Sequence, residues 1–291
     1  MKNKILEVKK VSKTYKTFKL DKVSFDIEEG SICGFIGRNG AGKTTTLKGI
    51  IGLLHFEEGQ VKIFGRDFNI YEVVDKQDVS FSLSEINFFP DMRIGKLTRV
   101  TSRFYYNWNQ DTYLKLCKRF GIDQKKRVKE LSSGMKVKYN LAVALSHGAK
   151  LLILDEPTSG LDPISRDEVL DLFKLVVKDG KRSILFSTHI TSDLEKCADH
   201  IVYIKKGKIS SCSSKEDFLN EYKYVEGSIE DLEKSKKYLV NFKNEKSKFT
   251  GLVKAKFSSK LPSGVKQSKP NLEQVMIYEE REEEDDEELV L

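Results

Sequence analysis

Apolar and polar residues alternate between residues 5 and 28, and this pattern predicts strands with one buried face. The apolar run GSICGFIG follows and predicts a buried strand, and the stretch TTTLKGIIGLL directly after it predicts a helix. Two further β-rich runs, LLILDEP and SILFSTH, flank the helical pattern ISRDEVLDLFKLVVKDG. Alternating buried strands and helices are typical of an α/β fold with a parallel, doubly wound sheet.

Other segments depart from this α/β pattern. From residue 78 onward, helical patterns with many aromatic side chains predict an inserted helical lobe over about residues 85–145. After the last regular strand, alternating runs, a turn-prone link and a short helical pattern predict a small C-terminal α+β accessory unit over residues 215–278. The acidic stretch 279–291 is predicted to be a disordered tail. The α/β domain itself is assigned to residues 1–214.

The composition of the 291 residues, 39% hydrophobic and 33% charged, is that of a soluble globular protein. No run approaches the ~18 consecutive apolar residues that span a bilayer, and the first residues lack the apolar core of a signal peptide. The four cysteines form no CxxC pair, which excludes zinc ribbons and disulfide frameworks. We therefore expect a cytoplasmic protein.

The charge is unevenly distributed. The net charge is +7, but the segment EEREEEDDEE near the C-terminus holds nine acids and one base. Residues 1–278 contain 50 basic and 35 acidic residues, a net charge of +15. Scattered lysines usually solvate a surface, and a binding patch for nucleic acid or an anionic membrane is the alternative.

The segment GRNGAGKT after the first buried strand matches the phosphate-loop pattern GxxxxGK[ST]. In such a loop successive backbone N–H groups point at phosphates, and the following helix adds the positive end of its dipole. Lys43 would neutralise the β- and γ-phosphates, and the Thr44 hydroxyl would bind Mg²⁺. The expected nucleotide-binding residues of the loop are Gly37, Arg38, Asn39, Gly40, Ala41, Gly42, Lys43, Thr44 and Thr45. A chance glycine-rich turn is the alternative, and the strand before it and the helix after it argue against that.

Two acids end the apolar run LLILDE. A buried strand that ends in carboxylates delivers them to the edge of the sheet where a phosphate loop also lies. Asp155 is suited to holding Mg²⁺, and Glu156 to polarising an attacking water. On its own, such a run indicates only an ordinary strand end. Together with the preceding phosphate loop, it indicates a nucleotide site.

The motifs LSSGMK, SGLD and STH complete a recognisable series. They occupy residues 131–136, 159–162 and 187–189, with the first before the two acids and the others after them. In this order and spacing the chain resembles ATP-binding-cassette (ABC) ATPases over about residues 5–212. The resemblance implies an ABC-type nucleotide-binding domain that binds ATP and Mg²⁺, hydrolyses ATP, and pairs head to tail with a second such domain as a homodimer or heterodimer.

The resemblance also implies roles for further residues. His189 would contact the γ-phosphate and hold the catalytic geometry together with Glu156, and Asp162 would couple the two sites of the dimer. Tyr15 matches the family position whose ring stacks on adenine, although a tyrosine in a strand is also common in ordinary packing. The signature residues that would reach the ATP of the partner domain are Ser132, Ser133, Gly134 and Met135.

Two features depart from the family pattern. The family usually places a glutamine where this chain has Ser84, with Glu85 beside it, so these two residues are candidates for the metal contact at that position. The signature contains LSSGMK where the family has LSGGQ. Because its serine and second glycine remain, hydrolysis is expected to survive.

The signature, the FPDM stretch and the C-terminal PNLEQVMIYEE resemble ATPase subunits of ABC-2-type exporters, and in particular the Gram-positive group that exports antimicrobial or cytolytic peptides, such as phenol-soluble modulin and lantibiotic-immunity exporters. The membrane partner there is a separate polytopic permease, so the resemblance implies a peripheral position on the inner face of the cell membrane. The aromatic residues of the lobe, Phe88, Phe89 and 104–108, would face that partner or form the core of the lobe.

Two other functions are compatible with the fold. A soluble ABC ATPase acting on nucleic acid, ribosomes or a protein assembly is supported only by the basic body, and the chain lacks the tandem cassettes or long coiled coils of such proteins, so no specific nucleic acid is expected. A catalytically silent cassette conflicts with the presence of Lys43, Asp155, Glu156 and His189.

Overall fold

The computed structural model divides between Cys212 and Ser213 into two compact units, which we call the main unit and the C-terminal unit. The residues that it describes are 3–68, 76–82, 89–245 and 247–281. Within these ranges, no helix has the length and apolar character needed to span a membrane.

The main unit contains two sheets. Its strands are β1 (Lys4–Thr14), β2 (Lys19–Glu28), β3 (Ile32–Ile36), β4 (Glu58–Ile63), β5 (Arg66–Asp67), β6 (Val79–Ser82), β7 (Leu151–Asp155), β8 (Ser183–Thr188), β9 (His200–Lys205) and β10 (Lys208–Ser214). An antiparallel sheet has the order β2, β1, β4, β5, and its apolar side chains alternate with polar ones as the sequence predicts. The central sheet has the order β10, β9, β3, β8, β7, β6, with parallel pairing from β9 to β6.

The middle strands of the central sheet are its most buried part. Strands β3, β7 and β8 are buried along their whole length, which explains their uninterrupted apolar runs. Because these strands are parallel neighbours, the residues that follow them meet at one edge of the sheet. The predicted α/β class is confirmed.

Strand β6 corrects one expectation. The sequence from residue 78 onward predicts helices, but Val79 to Ser82 pair with Leu151 to Leu154 as the edge strand of the central sheet. Four residues are too few to show a reliable period, so the strand is defined by its hydrogen bonds to β7 and not by its own pattern.

Helices surround the central sheet and build the lobe. They are α1 (Lys43–Ile50), α2 (Ile94–Thr101), α3 (Gln110–Phe120), α4 (Ser133–Ser146), α5 (Pro163–Val177) and α6 (Thr191–Cys197). In the lobe the buried hydroxyl of Thr98 in α2 lies 2.8 Å from that of Tyr113 in α3 and 3.0 Å from that of Tyr139 in α4. This network satisfies three buried polar groups and ties the three helices together.

The C-terminal unit is an antiparallel sheet with helices. Its elements are α7 (Lys215–Asn220), β11 (Tyr222–Ser228), α8 (Ile229–Ser235), β12 (Leu239–Glu245), β13 (Lys248–Lys254), β14 (Lys266–Ser268) and α9 (Leu272–Glu280). The strand order is β12, β13, β11, β14. Its core consists of Val225, Leu232, Phe249, Val253 and Val265.

The start of the predicted tail needs a correction. Glu279 and Glu280, which the sequence assigned to the tail, are the last residues of α9. The Glu279 carboxylate accepts a 2.9 Å hydrogen bond from the Tyr222 hydroxyl and lies 3.7 Å from Nζ of Lys254. These contacts hold the end of the helix against the sheet of the same unit. Residues 282–291 lie outside the described part of the chain.

Candidate active site

The predicted phosphate loop joins β3 to α1, and two of its glycines are required by close packing. A Cβ on Gly37 would lie 2.4 Å from the carbonyl oxygen of Ile204. Gly42 has φ +110°, and a Cβ there would lie 2.6 Å from Cδ2 of Leu20. The loop therefore keeps its path only with glycine at these positions.

The side chain of Lys43 is buried beneath the loop. Its Nζ donates to the carbonyl oxygens of Gly37, at 2.7 Å, and Arg38, at 3.3 Å, and lies 3.6 Å from Oε1 of Glu156. Only 6% of the residue is exposed. A buried ammonium held by carbonyls and one carboxylate is a fixed positive charge directly under the turn that is expected to wrap phosphates.

Asp155 is the last residue of β7, and its carboxylate forms hydrogen bonds with the phosphate loop and with β8. One carboxylate oxygen accepts a 2.9 Å hydrogen bond from the Thr44 hydroxyl, and the other accepts a 2.6 Å bond from the Ser187 hydroxyl. Ser187 also accepts a 2.9 Å bond from the backbone N–H of Glu156. The arrangement fixes Asp155, Thr44 and the turn after β7 in one hydrogen-bonded chain.

These oxygens fit a magnesium ion. Mg²⁺ prefers oxygen ligands and is usually held by one or two protein groups together with substrate phosphates. The adjacent oxygens of Thr44 and Asp155 have that character. Within the described ranges, no cluster of three or more His, Cys, Asp or Glu side chains is placed to hold a metal without substrate. Ser84 and Glu85, the other candidates for metal contact, lie outside the described residues.

Glu156 and His189 meet across neighbouring strand ends. The His189 Nδ1 atom lies 2.9 Å from Oε2 of Glu156, whose Oε1 faces Lys43. Glu156 has φ +48°, a left-handed backbone that is costly for a residue with a side chain. The turn is held in this conformation by the bond from its N–H to Ser187. The strained turn aims the carboxylate at the loop.

These groups line an open pocket of about 520 Å³. Its lining residues are Phe18, Asn39, Gly40, Gly42, Lys43, Thr44, Thr45, Glu156, Ser159 and His189. The sequence predicts that Tyr15 stacks on adenine, and the aromatic ring that lines this pocket belongs to Phe18. Tyr15 is 43% exposed, and its ring centroid lies 6.4 Å from that of Phe18. The available signal was a second aromatic residue three positions later in the same turn.

The residues assigned to the partner domain's site lie at helix starts. Ser132 is exposed and caps α4 by accepting from the N–H of Met135 at 3.2 Å. Asp162 is exposed and caps α5 by accepting from the N–H groups of Ile164 and Ser165. The hydroxyl and N–H of Ser165 hold the pKa of the Asp162 carboxyl below its ordinary value. The described residues that line the pocket of this chain include none of Ser132, Ser133, Gly134, Met135 and Asp162.

Comparison with known proteins identifies the family of this chain. A family model for the ABC transporter matches residues 20–159. The bacitracin transport ATP-binding protein BcrA of Bacillus licheniformis is 34% identical over 211 residues, covering 70% of this chain and 68% of that protein. The lantibiotic transport ATP-binding protein SrtF of Streptococcus pyogenes is 32% identical over 208 residues, covering 70% of this chain and 89% of that protein.

Solved structures agree with the sequence relatives. The structure of an ATP-binding subunit of an ABC transporter matches with a TM-score of 0.65 and 27% identity, over 73% of this chain and 91% of that one. A nucleotide-free ATP-binding cassette from an ABC transporter shares the fold, with a TM-score of 0.64 and 22% identity, over 75% of this chain and 94% of that one. The chain therefore belongs to the ATP-binding proteins of ABC transporters. Its function within that family is to bind and hydrolyse ATP, and the predicted cassette fold and ATPase class are confirmed.

Proposed function

We propose that this chain powers the export of a peptide, toxin or drug through a separate membrane subunit. The observation that carries the ATP-hydrolysing part is the contact series from Lys43 through Glu156 to His189 beside the pair Thr44 and Asp155. The cargo class is supported by relatives named for bacitracin and lantibiotic transport. The LSSGMK signature and the helix Leu272–Glu280 support an ABC-2-type exporter of the Gram-positive peptide group.

The chemistry follows from the placement of each group. Lys43 and the N–H groups of the loop bind the β- and γ-phosphates, and Thr44 with Asp155 would hold Mg²⁺, which when bound neutralises phosphate charge. The Glu156 carboxylate accepts the proton of the attacking water and orients it. His189 holds that carboxylate through its Nδ1 atom and keeps it aimed at the phosphate end of the pocket.

The proposed unit of hydrolysis is a dimer with a second cassette, of this chain or of a related one. Ser132 and its neighbours start a helix whose N-terminal end suits an anion, and they are available for the ATP of the other cassette. Asp162 would meet the facing cassette beside them. The complex would sit on the inner face of the cell membrane, held there by its permease.

The partner proposal is tested by purification from detergent-solubilised cells. We expect the tagged chain to recover a polytopic membrane protein in stoichiometric amount. A matched variant carries Phe104→Ala and Tyr106→Ala, since these side chains are 69% and 76% exposed on the lobe, and it should recover less of that protein while its own ATPase rate is unchanged. Recovery of RNA or ribosomes with no membrane protein would replace the exporter with the soluble-ATPase alternative.

A further inference from the structure

A buried carboxylate lies just behind the candidate active site. Asp193 is in α6, four residues after His189, and is 1% exposed. Its Oδ2 atom accepts a 2.6 Å hydrogen bond from the hydroxyl of Thr158, which is fully buried and follows Glu156 by two residues. This bond joins the segment that carries Glu156 to the segment that carries His189.

The other oxygen of the same carboxylate faces helix α5. Oδ1 of Asp193 lies 3.9 Å from Nε of Arg166, and within the described chain neither atom has a hydrogen-bond partner. Thr158 and Arg166 stand on either side of residues 159–162, the loop that ends in the helix cap Asp162. One carboxylate therefore contacts the chain on both sides of this loop.

Burial of the Asp193 carboxylate has an unfavourable desolvation free energy. Burial raises the pKa of Asp193, while the hydrogen bond from Thr158 and the charge of Arg166 act in the opposite direction. Replacing a buried ionic group by a well-packed apolar one is often neutral or stabilising. The choice of an acid at this position therefore points to a role other than stability.

We propose that Asp193 is a positioning residue that fixes loop 159–162 and the Glu156–His189 pair relative to each other. The inference rests on the proposed function, in which this pair acts on the attacking water and Asp162 meets the second cassette. A shift of the loop at the dimer interface reaches Asp193 through Thr158 and Arg166. It then reaches the turn that carries His189, so dimer contact and catalytic geometry are linked.

The hydroxyl of Thr158 gives the sharpest test. Thr158→Val removes the donor with little change of shape, and we expect kcat to fall at least about tenfold, because displacing reacting groups by ~1 Å can cost about a hundredfold. Binding of a fluorescent ATP analogue should change less than about twofold, since Lys43 and the phosphate loop are untouched. Thr158→Ser keeps the hydroxyl and should keep kcat within about twofold.

A control variant distinguishes a positioning role of Asp193 from a general weakening of the contact between α5 and α6. Lys196 in α6 pairs with Asp167 in α5 on the exposed surface. Asp167→Asn weakens this tie without touching Asp193, and it should leave kcat within about twofold. Melting curves of each variant check folding. If Thr158→Val does not fold, Asp193→Asn, which keeps the shape and loses the charge facing Arg166, is expected to lower kcat in the same way.

The outcomes separate this inference from the proposed function by means of Glu156→Gln. If Glu156→Gln loses hydrolysis while Thr158→Val and Asp193→Asn turn over like the wild type, Asp193 has no positioning role and the proposed function stands. If Thr158→Ser loses as much kcat as Thr158→Val, or if ATP affinity falls in step with kcat, the inference is also wrong. If Glu156→Gln hydrolyses ATP at the wild-type rate, the proposed function itself fails.

Discussion

Nδ1 of His189 lies 2.9 Å from Oε2 of Glu156, while Oε1 of the same carboxylate lies 3.6 Å from Nζ of Lys43. His189 follows β8, Glu156 follows β7, and Lys43 begins the helix after the loop that follows β3. These three strands are neighbours in the central sheet, so the residues lie at the same edge. A single carboxylate thus stands between the cation of the phosphate loop and an imidazole. In the proposed function, Glu156 would therefore act on the attacking water beside the bound phosphates.

The aromatic side of the pocket is tested by paired substitutions. Tyr15→Ala is expected to weaken ATP binding by about 1 kcal/mol, and Tyr15→Phe by little, because stacking needs the ring and not the hydroxyl. Phe18→Ala should also weaken binding, since the Phe18 ring lines the pocket and its Cζ lies 2.8 Å from the place that a Cβ on Gly42 would take. Nucleotide titration measures all three. Equal losses for Tyr15→Phe and Tyr15→Ala would mean that Tyr15 acts through its hydroxyl.

The end of α9 is tested by two truncations. A chain that ends at Tyr278 loses the Tyr222–Glu279 hydrogen bond and the bond from Asn241 to the Arg281 carbonyl, whereas a chain that ends at Arg281 keeps both. We expect the shorter chain to unfold more easily, by roughly 1–3 kcal/mol for the two bonds. Denaturant unfolding of the two chains measures the difference.

Removal of the acidic segment alone has a separate expected effect. Ending the chain at Arg281 should leave the ATPase rate within about twofold at ~0.15 M salt and strengthen binding to anionic vesicles or RNA at low salt, because seven acids are removed from a basic body. An autoinhibitory tail instead predicts a faster ATPase after truncation at every salt concentration. A salt series on the two chains decides between them.

His147 is expected to make stability depend on pH. Its side chain is 2% exposed, its ring stacks on Tyr105 with centroids 3.8 Å apart, and burial lowers its pKa despite the contact of Nδ1 with the Gln77 carbonyl. The unfolded chain therefore binds a proton more readily than the folded one, so the free energy of unfolding falls as pH drops through about 6.5. His147→Phe keeps an aromatic stack and cannot titrate, so its unfolding free energy should fall less between about pH 7.5 and 5.5. If the unfolding free energy of both chains changed equally with pH, His147 would not be the source of the pH dependence.

The sequence places much of the site because motif spacing and sheet topology act together. Lys43 and Thr44 come after a buried strand and a short glycine-rich loop, and Asp155 and Glu156 come at the end of another buried strand. A parallel sheet therefore brings them to one edge. The sequence does not indicate the bond from Ser187 to Asp155 or the bond from Thr158 to Asp193, since the partners lie 32 and 35 residues apart and no local period marks them. The sequence does not single out Phe18, which lines the pocket, because either of two aromatic residues in one turn can face it. The stacking of Tyr15 on adenine stays a prediction.

The ends of elements were the least predictable. Strand β6 has four residues and exists because β7 offers it hydrogen bonds. Glu279 belongs to a charge run that predicts solvation, yet Tyr222 and Lys254 hold it in α9. In both cases a tertiary contact overrides the local pattern.

The most direct test of the account is single-turnover and steady-state hydrolysis by Glu156→Gln. The amide keeps the size of the side chain and spares the phosphate contacts, so ATP affinity should stay within about twofold while kcat falls at least about tenfold. The matched control is Glu168→Gln, the same change at a 54% exposed carboxylate that pairs with Lys138, and it should hydrolyse ATP like the wild type. A rate for Glu156→Gln equal to that of the wild type and the control would contradict the assignment of Glu156 as the group that activates water.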